Sequence, residues 1–479
     1  MHIPATDYRL RSTQRARSVL CLLSSVSCLL LAACAITEPS SRPQMPMPEQ
    51  WSEPLPVARA ESGVESSVAA EWWQGFASAE LNRLLEIAFR DNPDLLISAE
   101  RVRQAEIALR LTSAARLPNV NANLGTSKSR STPDGGTTTR REASSLGVSM
   151  SYELDLWGRI AATVAAGEAS LQATRFDHAT ARLSLAASVT SVYFESLAAG
   201  ERLRIAEENL AAAERILAIV EARHRHGVAT SLDVSQQSTT VLAQRAALIP
   251  LAVQARQLRS ALALLLGQMP QDMNLAGEPW ADLRIPLLIP EMPASLLTRR
   301  PDIAAAEASL AASDANVAAA RAALLPGVSL SASGSLGSEV LLDLAHPTRS
   351  LSVALSLAQN LFDGGRLRLQ TESARSQRAV QIIHYAQVVR AALKEVEDAL
   401  GNVEKTARQE TAQQAVLAQA SRSLRLAELR YREGAGDLLS VLESQRTVFS
   451  ARDQLVTLRL SRLQAAIELA RAMGGGWIK

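Results

Sequence analysis

The stretch "SLGVSMSYELDLWGR", residues 145–159, decides the fold. In it Leu146, Val148, Met150, Tyr152, Leu154 and Leu156 alternate with Gly147, Ser149, Ser151, Glu153 and Asp155. That period of two marks a strand with one apolar and one polar face. The strand, about 143–157, runs straight into a long segment of helical pattern, so a chain that otherwise reads as helix must have a reason to carry it. Three more strands are expected at about 119–128, 327–337 and 350–362; in the last, Leu351, Val353, Leu355 and Leu357 alternate with Ser352, Ala354, Ser356 and Ala358. The polar stretch "SKSRSTPDGGTTTRRE", 127–142, with Pro133, Gly135 and Gly136, predicts an exposed loop between the first two strands.

Internal comparison explains why the strands come in two pairs. Residues 92–125 align with 300–333, where Pro93, Asp94 and Pro118 match Pro301, Asp302 and Pro326 at a spacing of 208. Further on, Gly227 and Gly434, Leu232 and Leu439, Arg245 and Arg452, and Gly267 and Gly474 all lie 207 apart. The chain is therefore read as two similar halves, 71–298 and 299–479. Each half runs helix, proline, strand pair, very long helix, glycine turn and returning helix. The long helices are expected at about 159–226, 231–267, 365–432 and 437–473, and no proline occurs in 134–249 or 348–479. At 1.5 Å per residue the first would extend about 100 Å. Leu203, Ala206, Leu210, Ala213, Leu217 and Val220 form one heptad seam, and Leu417, Ala420, Leu424, Ala427 and Tyr431 another.

Taken alone, the helices would suit a soluble coiled coil, and the strands could form a soluble sandwich. Alternating strands of about ten residues, however, have the length and pattern of a transmembrane β-barrel. An open sheet leaves edge groups unbonded in lipid, and bacterial barrels begin at about eight strands, so four strands must be shared among copies. Two copies give eight strands and three give twelve; the sequence physics does not choose.

Composition agrees with close-packed helices: 47% of the 479 residues are hydrophobic and only 4% aromatic. Net charge is +2, and setting aside the four arginines and one aspartate of residues 1–33 leaves 46 basic and 47 acidic residues, which does not suggest a nucleic-acid partner. Those arginines (Arg9, Arg11, Arg15 and Arg17) precede an apolar run, 19–33, with the order and length of a secretory signal. The run ends in Leu31-Ala32-Ala33-Cys34, which resembles a bacterial lipobox and makes Cys34 the expected lipidated first residue. Ala35 in place of an aspartate implies outer-membrane delivery. Residues 34–70, rich in Pro, Ser and Glu, read as an extended tether. Cys21 and Cys28 fall in the discarded segment, so no intramolecular disulfide is expected in the mature chain.

The combination resembles the TolC-like outer-membrane efflux proteins, specifically the lipoprotein (NodT-type) branch that serves RND pumps. The resemblance rests on "EWWQGFASAELNRLLEIAFRDNPDL" (71–95), "SYELDLWGR" (151–159), "RRPDIAAAE" (299–307), "FDGGRLR" (362–368) and "LLSVLESQRTVFSARDQL" (438–455), with the lipobox and the repeat. It implies an α+β membrane protein: a homotrimer whose twelve-stranded barrel, four strands per chain, continues into a long periplasmic α-helical barrel. A mixed equatorial region would comprise about 71–91 and 268–298. The implied function is a passive efflux conduit for small compounds, fed by an inner-membrane RND-type transporter through a periplasmic adaptor. Secretion of protein or oligosaccharide is the alternative within that class, and a pore-free periplasmic scaffold lipoprotein the alternative outside it.

No enzymatic site or cofactor is expected. His224 and His226, in "RHRHG", do not share a helix face and read as a basic helix end rather than a metal pair. Trp72 and Trp73 read as packing for the equatorial region. The turns Gly227-Val228-Ala229-Thr230 and Gly434-Ala435-Gly436-Asp437 reverse one long helix into the next, with Thr230 and Asp437 as N-caps. The resemblance makes Gly227, Val228, Ala229, Thr230, Gly434, Ala435 and Gly436 adaptor-docking tips. It makes Asp437, Leu438 and Leu439 candidates for the periplasmic gate.

Overall fold

The computed structural model describes residues 46–53, 70–288, 292–342 and 346–477. The signal segment, Cys34 and most of the tether lie outside the described residues. The chain forms two compact units: one takes in Gln104–Ala173 and Glu307–His384, the other Met45–Arg103, Thr174–Ala306 and Tyr385–Lys479. Each unit draws on both sequence repeats.

The first unit holds the sheet. β1 (Asn119–Ser131), β2 (Thr139–Leu154), β3 (Gly327–Ser338) and β4 (Thr348–Ala358) pair antiparallel in chain order, leaving β1 and β4 as edges. The register aligns like with like. One face carries the rows Asn121, Ser149, Ser333, Ser352 and Asn123, Gly147, Ser335, Ser350. Hydroxyls bridge neighbouring strands there, at 2.8 Å between Ser333 and Ser352 and 2.7 Å between Ser335 and Ser350. The other face carries Val120, Met150, Ala332, Val353 and Ala122, Val148, Gly334, Leu351. This apolar face is open to its surroundings: Leu124 is 78% exposed and Leu351 84%. Apolar surface so continuous is not stable against water and marks a lipid or protein contact.

The strand ends differ from the sequence expectation, each for a local reason. β2 stops at Leu154 rather than 157, because the Asp155 carboxylate accepts from Ile160 N (3.0 Å) and Ala161 N (2.7 Å) and starts the next helix. Trp157 turns away and donates to Pro326 O at 2.6 Å. β4 likewise stops at Ala358 rather than 362, and Asp363 accepts from Gly365 N (2.9 Å) and Leu367 N (3.1 Å). At the other end, β1 and β2 run into the stretch expected to be loop. Lys128 meets Glu142 across the pair at 2.6 Å, and only 132–138 remains as the turn.

The helices follow the expected order: α1 (Ala79–Asp91), α2 (Pro93–Ser113), α3 (Arg159–Arg225), α4 (Ser231–Leu265), α5 (Pro301–Ala322), α6 (Arg366–Arg432) and α7 (Leu438–Ala472). Pro93 and Pro301 open α2 and α5, where a missing N–H leaves no helical bond unmade. α4 continues through Pro250. Among the described residues no helix is long and apolar enough to cross a membrane.

The heptad seams are only partly the buried faces. Ala206, Ala213 and Val220 are buried, but Leu203, Leu210 and Leu217 are half-exposed, while Ile205, Asn209 and Ile216 are buried in their stead. In the second seam Ala420 and Tyr431 are buried and Leu417, Leu424 and Ala427 half-exposed. A straight helix of 3.6 residues per turn drifts off a seven-residue repeat, so contact spreads beyond one stripe.

The second unit has its main core around the equatorial segments. Trp72, Trp73 and Phe76, in one short helical turn, pack with Leu81, Leu84 and Leu85 of α1, Tyr193 and Phe194 of α3, and Trp280. Trp72 and Trp73 are thus core residues, in keeping with the packing role expected of them. The phenol of Tyr193 lies 3.1 Å from Glu80 Oε2 and 3.3 Å from Glu278 Oε2. Burial pushes its pKa far above the usual range, so it remains a donor between the two carboxylates.

The two halves repeat their helix ends closely. Gly267 ends α4 with Gln268 N bonded to Ala263 O; Gly474 ends α7 with Gly475 N bonded to Ala470 O, and both glycines have positive φ. Asn92 Nδ2 donates to Leu265 O at 2.8 Å, and at the matching place Arg300 donates to Ala472 O at 3.0 Å. Each side chain ties the start of a shorter helix to the orphan carbonyls that end a longer one.

Candidate functional site at the helix turns

The α3–α4 and α6–α7 turns lie in the second unit and share one construction. Val228 N donates to Arg223 O and Gly227 N to His224 O; Ala435 N donates to Arg430 O and Gly434 N to Tyr431 O. This is the helix-ending motif that places a glycine in the left-handed region, and φ is 73° at Gly227 and 74° at Gly434. A Cβ on either glycine would meet nothing within 4 Å, so backbone conformation alone requires them.

The returning helices start on side-chain caps. Thr230 Oγ1 accepts from Asp233 N at 3.2 Å, while Asp233 Oδ2 accepts from Thr230 N at 2.7 Å, a reciprocal capping box. Asp437 Oδ1 accepts from Ser440 N at 2.8 Å. That bond to the Ser440 backbone, with a second to its side chain, holds the exposed Asp437 carboxyl below its usual range. It is therefore ionised at neutral pH, and its cap weakens only as pH falls below the ordinary carboxylate range. Leu439 is exposed, whereas Leu438 is buried with Ile216, Val220, Tyr431 and Val441. Of the three gate candidates, Asp437 and Leu439 face outward from the chain and Leu438 faces its interior.

The two turns are fastened to each other. Arg223 reaches from the end of α3 to donate to Tyr431 O at 2.6 Å, and its guanidinium lies 4.6 Å from the Tyr431 ring centroid. Burial raises the Tyr431 phenol pKa. Local sequence carries no sign of this clasp: "RHRHG" and "RYREG" both have an arginine there, and only contact between repeats shows that the first one crosses over. His224 Nδ1 lies 2.8 Å from Ala229 O, within its own turn. Beside the turns, Thr240, Gln244, Leu442, Arg446 and Phe449 line a groove of about 540 Å³ between α4 and α7.

Known proteins resemble the chain along nearly its whole length. The family model for "Outer membrane efflux protein" matches residues 84–268 and 292–475. The pyoverdine export outer membrane protein OpmQ of Pseudomonas aeruginosa is 39% identical over 465 residues, covering 95% of this chain and 97% of its own. The cation efflux system protein CusC of Escherichia coli is 30% identical over 460 residues, covering 95% and 98%. Among solved structures, the outer-membrane channel OprN superposes with a TM-score of 0.83 at 28% identity, covering 91% of this chain and 99% of that one.

Proposed function

The chain belongs to the outer membrane efflux protein family and is an outer-membrane channel subunit, and from that premise we propose that three copies form the passive export conduit of a tripartite efflux system. The observation that carries this reading is the sheet: four strands with two open edges, one apolar face exposed and one lined by hydroxyls and amides. Joining β1 of one copy to β4 of the next closes a twelve-stranded barrel with lipid outside and water inside. The long helices then stand in the periplasm, and acyl chains on Cys34 anchor the start of the mature chain in the outer membrane. The cargo is a small compound chosen by an inner-membrane transporter, as the export named for OpmQ and the cation efflux named for CusC exemplify.

In this reading Gly227–Thr230 and Gly434–Gly436 present the tips to a periplasmic adaptor. Asp437 and Leu439 narrow the aperture. Three carboxylates in a tight ring favour cations over anions. The test separates the Asp437 cap from its charge, since Asp437→Asn keeps an acceptor for Ser440 N and removes only the charge. In planar bilayers the wild type is expected to be cation-selective and the Asp437→Asn variant nearly indifferent, with unchanged thermal stability. Equal reversal potentials for the two would remove Asp437 from the gate. A detergent-extracted protein running as a monomer, with no heat-modifiable species near three chain masses, would overturn the conduit itself.

A further inference from the structure

The apolar face of the sheet ends in a basic cluster of which only Lys128 is neutralised. On β2 the apolar row runs from Leu154 to Leu146, eight steps of about 3.3 Å, or about 20 Å of height at a tilt of about 40°, which is most of a lipid-facing band about 25 Å tall. Its last row, Leu124, Leu146 and Leu336, ends in Arg349; beyond the row of Thr126, Ser144 and Ser338 come Lys128 opposite Glu142, then Arg130 directly opposite Arg140. Glu142 is the sole acid on this face of the strands, and it is paired with Lys128. Arg130 and Arg140 are exposed and have no carboxylate partner among the described residues. Like charges facing each other across a strand pair are destabilising unless an anion lies between them.

Resting on the conduit reading, which puts the β1–β2 turn on the cell exterior, we propose that Arg130 and Arg140 bind the phosphate of an anionic outer-leaflet glycolipid. The lipid's acyl chains lie along Leu124, Leu146 and Val148, and its phosphate sits between the two guanidiniums. Two planar forks can engage one phosphate through paired N–H donors, which a single ammonium cannot do. On β2, Ser144 lies beneath Val340 and Leu342, but along β1 the exposed residues Leu124, Thr126, Lys128 and Arg130 carry the lipid-facing band up to the cluster, and that continuity selects a lipid over a soluble anion.

The test uses full-length protein in mild detergent, titrated with bis-phosphorylated lipid A and with the same glycolipid dephosphorylated, bound lipid being counted by native mass spectrometry. Wild type is expected to retain the phosphorylated form at least tenfold better than R130Q/R140Q. R141Q, which removes an arginine on the opposite face, should bind as wild type does. The double variant should also leave the lipid-free trimer as stable as wild type or more so, because a repulsion is gone. Equal retention by wild type and R130Q/R140Q, no preference for the phosphorylated lipid, or displacement by millimolar inorganic phosphate would each overturn the proposal. In all these outcomes a heat-modifiable trimer still supports the conduit, whereas its absence from wild type condemns the conduit reading first.

Discussion

Gly474→Ala is expected to remove most of the heat-modifiable trimer from the outer membrane, while Gly227→Ala leaves it near wild-type abundance. Both glycines have positive φ, 88° and 73°, so both substitutions carry the left-handed penalty of about 1–2 kcal/mol. Their surroundings differ. A Cβ at Gly474 would lie 2.0 Å from Arg299 O, and its counterpart at Gly267 would lie 2.3 Å from Asp91 O. Those atoms are backbone carbonyls just ahead of α5 and at the end of α1, and no rotamer change moves them aside. Relief requires parting packed elements, which adds about 1–3 kcal/mol. A total of about 3 kcal/mol or more is a large share of a typical folding margin. Gly227 has open space around it and loses only the conformational part. Thermal unfolding of the trimer in detergent orders the variants; similar midpoints for the two would show that the close approach at Gly474 is not what demands glycine.

The second large effect is at Arg300. The side chain is buried yet keeps a charge, because it forks onto Asp302 at 3.0 and 2.6 Å and reaches Glu395 at 2.9 Å and Ala472 O at 3.0 Å. Burial alone would lower its pKa, and the hydrogen bonds and charges of Asp302 and Glu395 together more than reverse that. Removing one member of a buried ion cluster strands the others, at about 3–5 kcal/mol. Asp302 and Glu395 are about one-third exposed, so solvent screening places Arg300→Ala near 3 kcal/mol. Arg300→Lys keeps the charge but loses the fork, and should recover less than half of that. Asn92→Ala, at the matching position of the first repeat, loses neutral bonds only and is expected to cost about 1–2 kcal/mol. Guanidinium unfolding would measure all three. A milder loss for Arg300→Ala than for Asn92→Ala would mean the ion cluster contributes little.

The strands were legible in the sequence because one face meets lipid and the other water, which imposes a period of two on every residue. Their ends were not, since they depend on single side chains: Asp155 and Asp363 stop the strands early, and Lys128 with Glu142 zips the hairpin further than its turn-rich composition implies. The repeat was legible because glycine and proline positions survive divergence at the helix ends. What joins the repeats was not. Arg223 on Tyr431, and Tyr193 between Glu80 and Glu278, bring together residues 208, 113 and 85 positions apart, and no local pattern announces such partners. The turns at Gly227 and Gly434 were read as far as their backbone. That Leu438 faces inward while Leu439 faces out depends on how α7 packs against α3, which hydrophobicity alone leaves undecided.

The rows of serine, asparagine and glycine across the sheet bear on what can travel past them. Between Arg141 near the turn and Glu153 at the base of β2, itself held by Arg159 at 2.7 Å, that face carries no ionisable group. A solute crossing it trades hydration water for hydroxyls and amides of similar strength, at any net charge. On the conduit reading, that stretch of strand meets a passing solute with no fixed charge, and discrimination by charge falls to its ends and to the helix turns.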